Sequence, residues 1–302
     1  MDVAEYRKRT EAALEAARVE RAERVDEATP AEALGRLLDG ATPVGERLAA
    51  LQIVGRAAAE DPTVIDRLVD VLADTAALPE LREGAVEVLQ GLAFLVTVFA
   101  PYRPRYHEVL RAMVDDPNPI LRRRALAILA RYKDEYAQRR LTEGLEHPTK
   151  ALLPAAKAIQ YLGYDIHAEY FPLLRRIVEK PPTVSAKREA IRLLAADPSS
   201  KTLLSRVLND KSEPSRVRQM SALALQSLAP TSFERAARQI SLDDTEDDRL
   251  RATTIGALAR YGTPEPVSRR STFSRRISEI QTTASSPQLR RASKSYVDRR
   301  SG

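Results

Sequence analysis

Five cations recur along the chain at a fixed distance before a small or hydroxyl-bearing residue that opens an apolar run. They are Arg82, Arg122, Lys187, Arg218 and Arg251, and the small residues three positions later are Ala85, Ala125, Ala190, Ser221 and Thr254. Guanidinium and ammonium groups bind carboxylates and phosphates through charge-assisted hydrogen bonds. Acidic turns recur between the copies, so we favour a structural ladder of cation–acid pairs. A stripe that binds phosphates or an acidic partner is the alternative.

A second group of candidates lies in the segment 94–106, where the gap between two copies of the pattern is longest. Here we expect an apolar helix to extend to Pro101 and to lead into a loop. Tyrosine and arginine are enriched where partners dock, because they combine broad contact area with directed donors. The candidates for a specific partner contact are Tyr102, Arg103, Arg105 and Tyr106. The alternative is a long connection whose tyrosines pack back on the helices.

Residues suited to metal binding or catalysis are sparse. The three histidines, His107, His147 and His167, lack the spacing of metal ligands, and the chain has no cysteine to supplement them. The sequence contains no G-x-S-x-G, P-loop or G-x-G-x-x-G motif. We therefore expect no metal site, no cofactor, no catalytic residue and no enzymatic activity.

The last 35 residues carry a net charge of +7 and the rest of the chain −1, which together give the net charge of +6. Residues 268–302 contain four arginine pairs: Arg269 and Arg270, Arg275 and Arg276, Arg290 and Arg291, Arg299 and Arg300. The segment is rich in serine and poor in core-forming residues, so we predict that it is disordered. It is either a solubilising terminus or an electrostatic contact for nucleic acid or an acidic protein. Ser278 and Ser293 follow arginine pairs and resemble phosphorylation sites of basophilic kinases.

The compartment is predicted from three features. The longest apolar stretch, residues 92–100, is about half of the ~20 residues needed to span a bilayer, and the N-terminus has no apolar segment of signal-peptide length. The absence of cysteine is compatible with a reducing compartment. We expect a cytoplasmic protein without a membrane span.

The elements that would position these residues are stacked pairs of helices. The small residues fall at 85, 125, 156, 190, 221 and 254, a period typical of helical repeats. The copy at 152–156 keeps the register but lacks the cation. First helices carry apolar residues at i, i+3 and i+4, and second helices follow acidic or proline-bearing turns, which suit helix N-termini. Signals for β-strands are weak.

Two segments carry a resemblance to a known family. Residues 116–129 read Asp-Pro-Asn-Pro-Ile-Leu-Arg-Arg-Arg-Ala-Leu-Ala-Ile-Leu, and residues 249–262 read Arg-Leu-Arg-Ala-Thr-Thr-Ile-Gly-Ala-Leu-Ala-Arg-Tyr-Gly. This pattern resembles the HEAT repeat, particularly its short bacterial form, over roughly residues 45–265. The resemblance implies an all-α fold: a right-handed superhelical, armadillo-like α–α solenoid of about six or seven HEAT-like helix pairs.

The predicted organisation has three parts. They are an N-terminal capping helix over 1–28, a repeat solenoid over 29–267 and a disordered basic tail over 268–302. This organisation predicts a non-enzymatic scaffold or adaptor that holds an unspecified protein partner, with the tail as a second, electrostatic contact. One alternative is a protein that associates with nucleic acid through the tail. A minor alternative, which the resemblance allows, is a HEAT-like enzyme such as a bilin lyase or a DNA alkylation-repair glycosylase.

Overall fold

Consecutive helices joined by short turns make up the part of the chain that the computed structural model describes, residues 28–263 and 272–301. The chain divides into two units, residues 1–132 and 133–302. Residues 1–27 of the predicted capping helix lie outside the described part. Within 28–263 and 272–301 there is no β-strand, and no helix is both long and apolar enough to cross a membrane.

The described residues of unit 1, 28–132, form three pairs of helices and one short insertion. Helices α1 (Pro30–Leu38) and α2 (Val44–Ala57) form the first pair, α3 (Val64–Ala73) and α4 (Pro79–Leu92) the second, and α6 (Arg103–Ala112) and α7 (Pro119–Arg131) the third. The short helix α5 (Val96–Phe99) lies between the second and third pairs. Helix α2 packs on α4, α4 packs on α7, and α3 packs on α6. First and second helices thus form separate layers in this unit.

In unit 2, the described residues 133–263 and 272–301 form five pairs of helices with the same order of packing. The pairs are α8 (Glu135–Glu146) with α9 (Ala155–Leu162), α10 (Phe171–Glu179) with α11 (Val184–Leu194), α12 (Lys201–Asn209) with α13 (Ser215–Leu228), α14 (Pro230–Leu242) with α15 (Asp248–Tyr261), and α16 (Thr272–Thr283) with α17 (Pro287–Ser301). The second helices α9, α11, α13, α15 and α17 stack in sequence. The prediction of an all-α solenoid of helix pairs is confirmed.

Local sequence explains where these helices begin and what they bury. Asn118 caps α7 by accepting a hydrogen bond from the backbone N–H of Ile120 at 2.8 Å, and Pro119 occupies the first turn. Of the small residues of the repeated pattern, Ala156 is half-buried and the other five are fully buried. Small side chains there let second helices approach closely. At Gly55 of α2, an added β-carbon would lie 2.4 Å from a methyl carbon of Val88 on α4.

The structure corrects the prediction of a disordered tail, because residues 272–301 form the helix pair α16 and α17. The apolar residues are few, but they fall on one side of each helix. Phe273, Ile277, Leu289 and Tyr296 are at most 8% exposed, and the rings of Phe273 and Tyr296 meet edge to face at 5.7 Å. The Arg238 guanidinium of α14 lies 4.8 Å from the Phe273 ring. The segment therefore forms a further repeat on α14 and α15.

Candidate binding site

Three of the repeated cations, Arg82, Arg218 and Arg251, each cap the preceding helix and pair with an acid. Arg82 donates from Nε to the Leu72 carbonyl at 3.0 Å and forms an ion pair with Asp116 at 2.6 Å. Arg218 donates from Nε to the Leu208 carbonyl at 2.8 Å. Its two terminal nitrogens bind the Glu246 carboxylate at 2.6 and 2.8 Å. Each Nε thus satisfies a carbonyl in the last turn of the preceding helix, where intrahelical donors are missing.

Lys187, Arg251 and Arg122 are held in related ways. Lys187 forms an ion pair with Glu213. Arg251 contacts the Ser241 carbonyl at 3.4 Å and Asp244 at 2.7 Å, and Arg122 donates to the Asp116 carbonyl at 2.9 Å. Four of the five side chains belong to residues that are at most 8% exposed, and Arg122 is half-buried. This arrangement leaves little cationic surface for a phosphate.

Two further copies of the pattern were not predicted from the sequence. Arg47 precedes Ala50 by three positions, and its Nε donates to the Leu37 carbonyl at 2.9 Å, again ten residues earlier. Arg290 precedes Ser293 by three positions and donates to the Ala284 carbonyl at 3.2 Å. Both copies could have been predicted by applying the same three-residue spacing to the two ends of the array.

The predicted contact residues Tyr102, Arg103, Arg105 and Tyr106 do not form an exposed loop. Helix α4 ends at Leu92 rather than continuing to Pro101, and a new helix starts at Arg103. Arg105 forms ion pairs with Asp66 at 3.0 Å and with Asp70, both on α3. Tyr106 is fully buried, and Arg103 and Tyr102 are half-buried. Arg105 and Tyr106 therefore hold α6 in place, which removes Tyr106 from the surface.

A cavity of about 270 Å³ lies beside these residues in unit 1. It is lined by Gln90, Phe94, Tyr106, Ile128, Arg131 and Tyr132. The Phe94 side chain is 85% exposed, and the neighbouring residues Leu95 and Val96 are 41% and 61% exposed. We call Phe94, Leu95, Val96 and the residues lining the cavity the Phe94 site. Large apolar side chains exposed together are unusual on a monomer and mark interaction surfaces.

The buried end of this cavity carries a polar group without a protein partner. Tyr106 packs edge to face on Phe99, with ring centroids 5.4 Å apart, and its hydroxyl has no hydrogen-bond partner among the described residues. Burial raises the pKa of Tyr106 well above its ordinary value; Tyr132 adds to the rise and Arg131 opposes it. The hydroxyl therefore remains a neutral donor. A buried hydroxyl without a partner costs about 1–3 kcal/mol.

Another concave surface, of about 540 Å³, lies in unit 2 near His167 and Tyr170. Its polar groups bind one another: the Tyr170 hydroxyl donates to Gln138 at 2.9 Å, and His167 contacts Asp165 at 2.9 Å. Burial raises the pKa of Tyr170 to about 12. Over the described ranges, no three His, Cys, Asp or Glu residues are grouped as a metal ion requires. The surface lacks the unsatisfied donor that distinguishes the Phe94 site.

The cations of the tail are displayed by α16 and α17. Arg275, Arg276, Arg290, Arg291 and Arg299 are exposed. Arg269, Arg270 and the side chain of Arg300 lie outside the described residues. Ser278 is exposed, whereas Ser293 is fully buried, which corrects its assignment as a kinase site because the folded helix hides its hydroxyl.

Comparison with known proteins gives only distant likenesses. No protein-family model and no curated protein sequence matches the chain. Solved structures similar to it include human deoxyhypusine hydroxylase in complex with glycerol, at 14% identity and a TM-score of 0.34, covering 79% of this chain and 96% of that one. A designed armadillo repeat protein matches at 12% identity and a TM-score of 0.32, covering 90% of this chain and 100% of that one.

The first of these structures overturns the prediction that the chain is not an enzyme. That structure is of a hydroxylase. At 14% identity and a TM-score of 0.34, the likeness assigns no activity to this chain.

Proposed function

We propose that this chain is a HEAT-like repeat scaffold and that a protein partner docks on unit 1 at the Phe94 site. The observation that carries the proposal is the 85% exposure of Phe94 beside a cavity of about 270 Å³. The HEAT-like assignment is supported by the cation that caps the preceding helix, a contact seen at Arg47, Arg82, Arg218 and Arg251.

The size of the cavity favours a side chain of a partner over a free small molecule. Pockets for small ligands typically measure about 300–1,000 Å³, and about 270 Å³ accommodates one large side chain. Full burial of Phe94 would contribute about 1.5–3 kcal/mol, and Val96 and Tyr132 add further apolar area at the rim. Such a cluster of aromatic and aliphatic anchors is typical of the energetic centre of an interface.

The charges around the cavity indicate which chemical groups the partner carries. Arg131 lines the cavity, and the Arg103 guanidinium lies 6.0 Å from the centre of the Tyr132 ring. Among the described residues, no acidic side chain lines the cavity. We therefore propose a partner segment with one bulky apolar residue beside a carboxylate, which would pair with Arg131.

Site-specific photo-crosslinking in the cells that produce the protein tests this proposal. A photoreactive phenylalanine analogue replaces Phe94 in one full-length variant and Leu223 in another; Leu223 is 49% exposed on α13 and serves as a matched control. We expect one discrete protein to crosslink at position 94 and not at position 223. Identical products at both positions, or none at position 94, would contradict the proposal.

A further inference from the structure

The terminal helix α17 separates its cations from its apolar residues. Leu289, Ser293 and Tyr296 are at most 1% exposed and face the neighbouring helices. A helix advances 100° per residue, so the cations Arg290, Arg291, Lys294 and Arg299 lie on the opposite half of the helix, where all four are exposed. Packing of the apolar stripe thus converts a basic segment into a basic surface of fixed geometry.

Helix α16 extends this surface. Phe273 and Ile277 are buried, whereas Arg275 and the hydroxyl residues Ser278 and Thr282 are exposed on the other side of the helix. Residues 272–299 contain six cations and two acids, Glu279 and Asp298. The outer surface of α16 and α17 therefore combines clustered cations with the Ser278 hydroxyl, and we call it the terminal basic face.

Most of these cations keep their donors for a ligand. Arg290 and Arg291 each make one hydrogen bond to a backbone carbonyl, at 3.2 and 3.3 Å, which orients the side chain. A guanidinium has five N–H donors, so several remain on each. In the described part of the chain, the ion pair on this face joins Arg276 to Glu279 at 3.0 Å, and no acid pairs with Arg275, Lys294 or Arg299.

The lack of exposed apolar side chains on the described residues of this face indicates which class of anionic ligand it binds. Along the described residues of α16 and α17, no large apolar side chain is exposed. An acidic protein would need apolar hot spots for a stable interface, and membrane insertion would need apolar side chains at the surface. A phosphodiester backbone needs only cations and hydrogen-bond donors. We infer that the terminal basic face binds the phosphate backbone of a nucleic acid without reading its sequence.

Binding to phosphates alone should depend on salt concentration and be independent of nucleotide sequence. Each phosphate that a cation neutralises releases counterions, so log K falls with log salt by about 0.9 per contact for duplex DNA and about 0.7 for single strands. Four contacts from Arg275, Arg291, Lys294 and Arg299 give a slope of about −3 to −4. Affinity should be equal for unrelated sequences of the same length. The terminal basic face belongs to unit 2 and stands independently of the Phe94 site.

Fluorescence anisotropy with the full-length protein tests the inference. The probes are a labelled 20-nucleotide RNA and a labelled 20-base-pair DNA of arbitrary sequence, titrated from 50 to 200 mM salt. The test variant combines Arg291→Gln, Lys294→Gln and Arg299→Gln. The control combines Lys201→Gln, Arg216→Gln and Arg249→Gln, which removes the same charge from exposed positions elsewhere in unit 2.

We expect the test variant to bind at least tenfold more weakly and to lose about 2 to 3 from the salt slope, while the control stays within twofold. Far-UV circular dichroism verifies that both variants are folded. Equal loss in both triple variants, or no binding to either probe at 50 mM salt, would overturn the inference. Competition by polyglutamate at an equal concentration of charge, or binding to phosphatidylserine vesicles without binding to either probe, would also overturn it.

Discussion

The buried pair of Arg218 and Glu246 provides the sharpest test of the ladder that joins neighbouring repeats. Both side chains are 5% exposed, and the guanidinium binds both carboxylate oxygens at 2.6 and 2.8 Å. Arg218→Met would leave the carboxylate buried without this partner and the Leu208 carbonyl without its donor. Removal of one member of a buried pair costs about 3–5 kcal/mol, and a lost carbonyl hydrogen bond adds about 1 kcal/mol.

Urea unfolding monitored by circular dichroism at 222 nm measures this loss. We expect Arg218→Met to lower the free energy of unfolding by about 4 kcal/mol, and the double variant Arg218→Met, Glu246→Met to regain most of it because no buried charge remains. Lys211, whose side chain is 54% exposed and lies 3.8 Å from Glu246, is the control. Lys211→Met should cost less than about 1 kcal/mol.

The reasoning about the ladder would be refuted by either of two results. One is a loss below about 1 kcal/mol for Arg218→Met, since an exposed pair would give that value. The other is a double variant no more stable than Arg218→Met, since the destabilisation would then not come from an unpaired carboxylate.

Three further predictions follow from the structure. Tyr106→Phe removes a buried hydroxyl without a protein partner and should raise the free energy of unfolding by about 1 kcal/mol in urea titrations; a decrease would contradict the packing described for Tyr106. Gly55→Val should lower the thermal midpoint and destabilise by about 1–3 kcal/mol or more, because a β-carbon alone lies 2.4 Å from Val88; an unchanged midpoint would contradict this contact. The hydrogen bond from Lys211, followed by those from Thr245, lowers the pKa of Asp243. The difference in stability between wild type and Asp243→Asn should therefore be full above about pH 4 and should disappear as the pH falls further. A difference that does not depend on pH would contradict this prediction.

Periodicity was sufficient to predict the helix pairs, because the information is local. Ile65, Leu68, Val69 and Leu72 of α3 are all fully buried, as their i, i+3, i+4 and i+7 spacing predicts. The small residues within the second helices are likewise fully buried, apart from Ala156, which is half-buried. The prediction of a disordered tail was wrong because it rested on composition and not on the positions of the apolar residues. These residues are few, but they are enough for one apolar stripe on each helix.

The Phe94 site was located only approximately from the sequence. The lengthened gap pointed to the segment that contains Phe94, and the residues predicted within it were Tyr102, Arg103, Arg105 and Tyr106. Whether an aromatic side chain points inward depends on where α4 ends and on how α5 turns before α6. Those are consequences of tertiary packing, since Arg105 anchors α6 on α3 through residues more than thirty positions earlier.

The most direct test of the proposed function is the affinity of the crosslinked partner, once purified, for three full-length forms: wild type, Phe94→Ser and Leu223→Ser. Loss of about 1.5–3 kcal/mol of apolar burial corresponds to a dissociation constant about ten- to two-hundredfold weaker. We predict a change of that size for Phe94→Ser and less than twofold for Leu223→Ser. A dissociation constant for Phe94→Ser within twofold of wild type would contradict docking at the Phe94 site.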